Sequence, residues 1–173
     1  MLETTQANIN FNKEGLRGKR PSSAHTMIEF INVHRAFNVS CIPLKNINLK
    51  VSKGEVLGIC GPSGAGKSTL LRAVNRLEQI DSGKIVVDGK NIHDPYIELP
   101  SLRTEIGMVF QHLNLYSHMT ALQNITLAPH LVRKLSRKKA EESAMKLLER
   151  VGLAHRRDAY PVQLSGGEQQ RVA

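Results

Sequence analysis

The 173-residue chain contains no tryptophan, four phenylalanines and three tyrosines. Rings are therefore scarce as platforms for stacking nucleic-acid bases, and no RNA-reading aromatic motif is present. Its two cysteines, Cys41 and Cys60, stand in no CxxC or other metal-binding spacing, so neither a disulfide framework nor a zinc site is expected. Cys60 lies in an apolar run and is expected to be a buried free thiol. No apolar stretch approaches the roughly 20 residues that a membrane helix requires. The first residues carry Glu3, Lys13, Glu14, Arg17, Lys19 and Arg20 without an apolar core, which is no secretory signal; the expectation is a protein on the cytosolic side. No internal repeat is visible.

What is present suits one globular domain with enough material for a core: 40% of the residues are hydrophobic. The formal net charge is +9. Such an excess is compatible with nucleic acid, an acidic membrane surface or an anionic ligand. Part of it lies in one run, Arg133-Lys134-Leu135-Ser136-Arg137-Lys138-Lys139, which reads as a solvated helix start.

Residues 1–26 are polar and aperiodic, end near Pro21-Ser22-Ser23, and read as a disordered extension; Met27, which opens the ordered pattern, is a candidate start. Residues 28–33 are strand-like. Ile47, Leu49 and Val51 alternate with polar residues, as on a half-buried strand. After a Ser52-Lys53-Gly54-Glu55 turn, residues 56–60 form a continuous apolar run, as expected of a strand buried on both faces. Residues 68–77 predict a helix with Leu70, Leu71, Val74 and Leu77 on one side. Residues 84–92 predict a hairpin around Asp88-Gly89, and residues 106–110 a further strand. The remainder is helical in pattern, with a helix over 121–127. Ser136 is an N-cap for a helix whose apolar face holds Ala140, Ala144, Leu147, Leu148 and Val151, and Gly152 ends it. Tyr160-Pro161 makes a turn.

Between the apolar run and the first helix lies Gly61-Pro62-Ser63-Gly64-Ala65-Gly66-Lys67-Ser68, which fits GxxxxGK[ST] at every fixed position. The glycines let the backbone wrap phosphate oxygens with its N–H groups turned inward. The following helix aims its positive dipole end at the same anion. Lys67 supplies a point charge to the β- and γ-phosphates, the Ser68 hydroxyl is a Mg²⁺ ligand, and Thr69 is placed for the α-phosphate. A ligand-free glycine-rich turn is the plainer alternative, and the flanking strand and helix argue against it. The motif by itself does not choose among kinases, GTPases and ATPases.

About a hundred residues later stands Leu164-Ser165-Gly166-Gly167-Glu168-Gln169-Gln170-Arg171, just after Tyr160-Pro161-Val162-Gln163. Together with the phosphate loop it resembles the LSGGQ signature of ABC-transporter ATPases. Gln111, in Met108-Val109-Phe110-Gln111, is similar to that family's Q-loop glutamine and a second candidate Mg²⁺ contact. Phe37 is similar to the aromatic residue that stacks on adenine; a core phenylalanine is the other reading, and both stand. The resemblance covers residues 27–173. Three stretches look like the polar amino-acid uptake branch: Leu71-Arg72-Ala73-Val74-Asn75-Arg76-Leu77-Glu78, Gly107-Met108-Val109-Phe110-Gln111-His112-Leu113-Asn114-Leu115, and the segment from Tyr160 through Gly167. Glu168 departs from the commonest residue, glutamine, and a carboxylate beside a triphosphate is unfavourable unless it points away.

The resemblance implies an α/β P-loop NTPase of ABC type: an antiparallel β-subdomain, an incomplete parallel core sheet and a helical subdomain at about 112–170. It implies ATP and Mg²⁺ as cofactors and a head-to-tail dimer with a second ATPase subunit. In that dimer Ser165, Gly166, Gly167 and Glu168 face the nucleotide held by the partner's loop. It also implies a transmembrane permease, a substrate-binding protein acting indirectly, a place on the cytoplasmic face of the membrane, and no nucleic-acid partner. The family's Walker B carboxylates, D-loop and switch histidine follow the signature and fall past Ala173. The chain as given is therefore expected to hydrolyse ATP very slowly and, with residues 56–60 lacking neighbours, to be marginally stable. The alternatives are a nucleotide-binding remnant without hydrolysis, or the ATPase of another ABC system such as lipoprotein release or efflux.

Overall fold

A computed structural model describes residues 25–173 and the backbone of Asn10–Phe11. The disordered reading of the extension otherwise lies outside the described residues. At its end, Thr26 already belongs to a strand and His25 bonds Asp88 (2.6 Å), so order begins before Met27. The chain divides into two compact units, Met1–Ile106 and Gly107–Ala173.

The first unit runs, in chain order, β1 (Asn10–Phe11), β2 (Thr26–Arg35), β3 (Leu44–Ser52), β4 (Ile59–Cys60), α1 (Lys67–Val74), β5 (Ser82–Val87), β6 (Lys90–Asn91) and α2 (Leu99–Glu105). Four strands form an antiparallel sheet in the order β3-β2-β5-β6. Phe30 pairs with Leu49 on one side and Ile85 on the other. These three buried residues run as a line across the sheet and face Leu70, Ala73 and Val74 of α1 in one core. The alternation in β3 holds: Leu49 is buried while Asn48 and Lys50 are exposed. At the β5–β6 turn Asp88 and Gly89 have φ of 47° and 76°, the left-handed pair that the right-handed strand twist favours.

Several expectations are corrected. Of residues 56–60 only Ile59–Cys60 is strand; Val56 is 75% exposed, and Cys60 is exposed rather than buried. Among the described residues β4 pairs with β1 alone, antiparallel, so the run is not enclosed by a sheet on both faces, and only Leu57 and Ile59 of it pack, partly buried, against the core of the first unit. Every strand pair among the described residues is antiparallel, so no part of the expected parallel core sheet is formed there. Residues 106–110 do not form a strand. Helix α1 ends at Val74, and Leu71 and Leu77 are exposed. Its end is set by Arg76, at φ 54°, and by Arg103, whose guanidinium donates to the carbonyls of Asn75 (3.2 Å) and Arg76 (3.1 Å). A cation on terminal carbonyls is a favourable helix stop. Arg103 belongs to α2, which had no counterpart in the sequence analysis; its Pro100 sits in the first turn, where proline fits a helix.

The second unit contains α3 (Ala121–Leu131), α4 (Arg137–Arg150) and α5 (Gly166–Val172), with 3₁₀ turns at Ala154–Arg156 and Pro161–Gln163. Each α-helix here starts on a side-chain cap, from Thr120, Ser136 and Ser165 respectively. Ala121, Leu122, Ala144, Leu148, Leu153, Leu164 and Val172 form its core. Ala140, Ala144 and Leu148 are buried as predicted. Leu147 and Val151 are instead partly exposed and line an open cavity of about 620 Å³ with Leu113, Leu115, Ile125 and Val172. The basic run is exposed from Arg133 to Lys139, apart from the half-buried Leu135, and opens α4.

Candidate phosphate-binding site

The predicted loop joins β4 to α1, the strand–loop–helix order the motif requires. Gly66 caps α1 at φ 88°, ψ 5°. A Cβ at Gly66 would collide with the carbonyl oxygen of Pro43, which leads into β3. The glycine is thus forced twice, by the left-handed backbone and by the close pass of another chain segment. Ala65 is buried and its N–H donates to Pro62 O (3.3 Å), closing the turn. No side chain caps α1, and its first turn holds no acidic residue. The helices of the second unit close their starts with Thr or Ser, whereas this start leaves its first N–H groups for an anion.

Lys67 Nζ donates to the carbonyls of Gly61 (2.7 Å) and Pro62 (2.6 Å). The ammonium is thereby held against the loop, a position that suits a cation meant for phosphate. Ser63 and Gly64 are exposed at the loop's turn, Ser68 is exposed on the first turn of α1, and Thr69 is half-buried behind it. The loop residues therefore fit a bound phosphate chain. Among the described residues no group of three or more His, Cys, Asp or Glu is arranged to hold a metal. A hard cation here would rest on the Ser68 hydroxyl, with nucleotide oxygens.

Gln111 is exposed and belongs to the second unit. The segment after it is pinned by Asn124, whose Oδ1 accepts from Tyr116 N–H (2.8 Å) and whose Nδ2 donates to the carbonyls of Tyr116, Met119 and Thr120 (3.2, 3.1 and 3.0 Å). Sequence reasoning missed Asn124, because its partners are backbone groups up to eight residues away.

Ser165 begins α5 as an N-cap, with Gly166 and Gly167 exposed on the first turn. A Cβ on Gly166 would meet nothing within 4 Å, so local packing does not demand this glycine and the bare backbone faces open space. The Glu168 carboxylate turns back: Oε2 accepts from Ser165 N–H (2.8 Å) and from its hydroxyl (2.8 Å), and Arg156 Nε lies 3.3 Å from Oε1. The Ser165 backbone donor first, then its hydroxyl and Arg156, hold the Glu168 carboxyl at a pKa of about 2. The unfavourable carboxylate is thus engaged by its own capping box.

Phe37 is 51% exposed, which removes the core reading. The Arg35 guanidinium carbon lies 5.1 Å from its ring centroid.

Against known proteins, the family model described as ABC transporter matches residues 44–173. The chain belongs to the ABC transporter family. This family member is 54% identical over 147 residues to the glutamine transport ATP-binding protein GlnQ of Geobacillus stearothermophilus, a match covering 85% of this chain and 60% of that protein. It is 49% identical to the general L-amino acid transport ATP-binding protein AapP of Rhizobium johnstonii, covering 88% of this chain and 59% of AapP. Among solved structures, the ATP-binding cassette MJ0796, a dimer in a post-hydrolysis state bound to ADP and Pi, superposes with a TM-score of 0.71 at 30% identity, over 84% of this chain and 66% of that one. CbiO1 from Clostridium perfringens, part of an ABC transporter complex, gives 0.73 at 29% identity, over 86% of this chain and 59% of that one. The ABC chain therefore has the α/β fold of the ABC ATPase cassettes, and it spans about 60% of the length of the curated relatives it matches.

Proposed function

We propose that this chain binds ATP as the nucleotide-binding part of an ABC importer subunit that drives uptake of polar amino acids. The observation that carries the binding step is the uncapped start of α1 together with Gly66 and Lys67, an arrangement fitted to a phosphate chain. In this reading Gly61, Pro62, Ser63, Gly64, Ala65, Gly66 and Lys67 hold the β- and γ-phosphates, Ser68 ligates Mg²⁺, Thr69 reaches the α-phosphate and Phe37 supports the base. Ser165, Gly166 and Gly167 meet the γ-phosphate on a second subunit, with Glu168 ordering Ser165. Gln111 links Mg²⁺ and the γ-phosphate to a permease at the cytoplasmic face of the membrane. The names of the relatives, transporters of glutamine and other amino acids, support the cargo class, and the dimeric solved neighbour supports pairing.

No helix among the described residues is long and apolar enough to cross a membrane; in this reading a separate permease carries the amino acid. Bound Mg²⁺, held by the Ser68 hydroxyl, would polarise the γ-phosphate. Deleting the gene in its host should abolish uptake of a labelled polar amino acid such as glutamine. Unchanged amino-acid uptake with loss of another transported compound would overturn the cargo class.

A further inference from the structure

The end of β2 carries a side-chain network that the phosphate site does not use. Arg35 is gripped by two carboxylates: NH2 lies 2.9 Å from Glu78 Oε1 and NH1 lies 2.8 Å from Asp81 Oδ1. The other Asp81 oxygen accepts the Ala36 N–H at 2.6 Å, the amide next to Phe37. Beyond it, Phe37 N–H donates to Cys41 O (2.8 Å), closing a short loop on itself. Glu78 and Asp81 lie in the connection that leaves α1, the helix of the phosphate loop. One guanidinium thus ties the Phe37 loop to the end of the phosphate-loop helix. It also lies over the Phe37 ring while half that ring's residue surface stays open. Two carboxylates outnumber this cation, so Arg35 is poorly suited to attract phosphate itself.

We propose that Arg35 is a positioning residue, which Glu78 and Asp81 hold behind the Phe37 ring so that the ring presents its free face to the nucleotide base. This rests on reading Phe37 as the base platform. A planar guanidinium stacks on a ring and satisfies two carboxylates at once, which lysine does not do. Fixing the ring before binding removes the ordering cost from the binding step.

The test compares ATP with inorganic tripolyphosphate, which engages the phosphate loop and has no base, by calorimetric titration of the full chain. Arg35→Gln is expected to weaken ATP binding by about tenfold, the order of one base-stacking contact, and to leave tripolyphosphate affinity unchanged. Combined with Phe37→Ala it should add little to the Phe37→Ala loss, because both remove the same contact. A residue that merely straps the fold together would lower Tm and weaken both ligands alike, and that result overturns the proposal. So does unchanged ATP affinity in Arg35→Gln while Phe37→Ala is impaired. Unchanged ATP affinity in Phe37→Ala overturns the platform reading and this inference with it. Should Arg35→Gln fail to fold by circular dichroism, Asp81→Asn takes its place. It keeps an acceptor for Ala36 N–H and releases one grip on the guanidinium; loss of ATP affinity alone is expected, and unchanged ATP affinity overturns the proposal.

Discussion

Gly66 has φ 88° and the Pro43 carbonyl oxygen where a side chain would begin. Gly66→Ala is expected to shift either the loop or the Pro43 segment, costing on the order of 1–3 kcal/mol of stability and most of the ATP affinity; urea unfolding and titration measure the two. Glu168 allows a pH test. Its folded pKa, about 2, lies below the ordinary 4.5. Its stabilising contribution is therefore complete above 4.5 and is lost as pH falls from there toward 2. Glu168→Gln should flatten the fall in urea midpoint over that window, and an unaltered slope would contradict the capping-box account. His93 acts in the same direction at higher pH. Neither ring nitrogen has a hydrogen-bond partner among the described residues, and burial first, then Arg76, lowers its pKa from 6.5. The folded state resists protonating it, so stability falls as pH drops below 6.5, and His93→Gln should remove that step. The phosphate loop was legible at this scale because each position has its own steric or chemical requirement. Arg35 was not, since its partners lie 43 and 46 residues away and nothing local marks a long-range ion pair.

At the level of elements, α4 joins two readable signals, the Ser136 cap and the buried face of Ala140, Ala144 and Leu148. Ser136→Ala is expected to cost about 1 kcal/mol. Leu148→Ala, at a fully buried position, should cost roughly 2–5 kcal/mol, read as a lowered urea midpoint of the second unit. The hairpin at Asp88-Gly89 was equally legible, because the left-handed pair of a two-residue turn needs those residue types. The two failures share a cause. Residues 56–60 and 106–110 have the composition of buried strands, but a strand exists through its ladder, and its partners are not encoded in the run itself. The sequence analysis named no element over α2, where Pro100 sits in the first turn.

For the whole molecule, the α/β class and the ABC family were legible because the two motifs, about a hundred residues apart in one chain, constrain each other. The exposure of Val56 and Val109 predicts that the isolated chain is marginally stable and self-associates. Light scattering during thermal unfolding checks this, and a cooperative transition at high temperature from a monomer would contradict it.

The central claim, that Gly61 to Thr69 form an ATP site, is tested most directly by titrating the chain with Mg-ATP beside its Lys67→Ala variant. Saturable one-site binding that Lys67→Ala weakens by about tenfold or more, with the circular dichroism spectrum unchanged, is the predicted result. Absence of binding by the folded chain, or equal affinity in the two proteins, would contradict it.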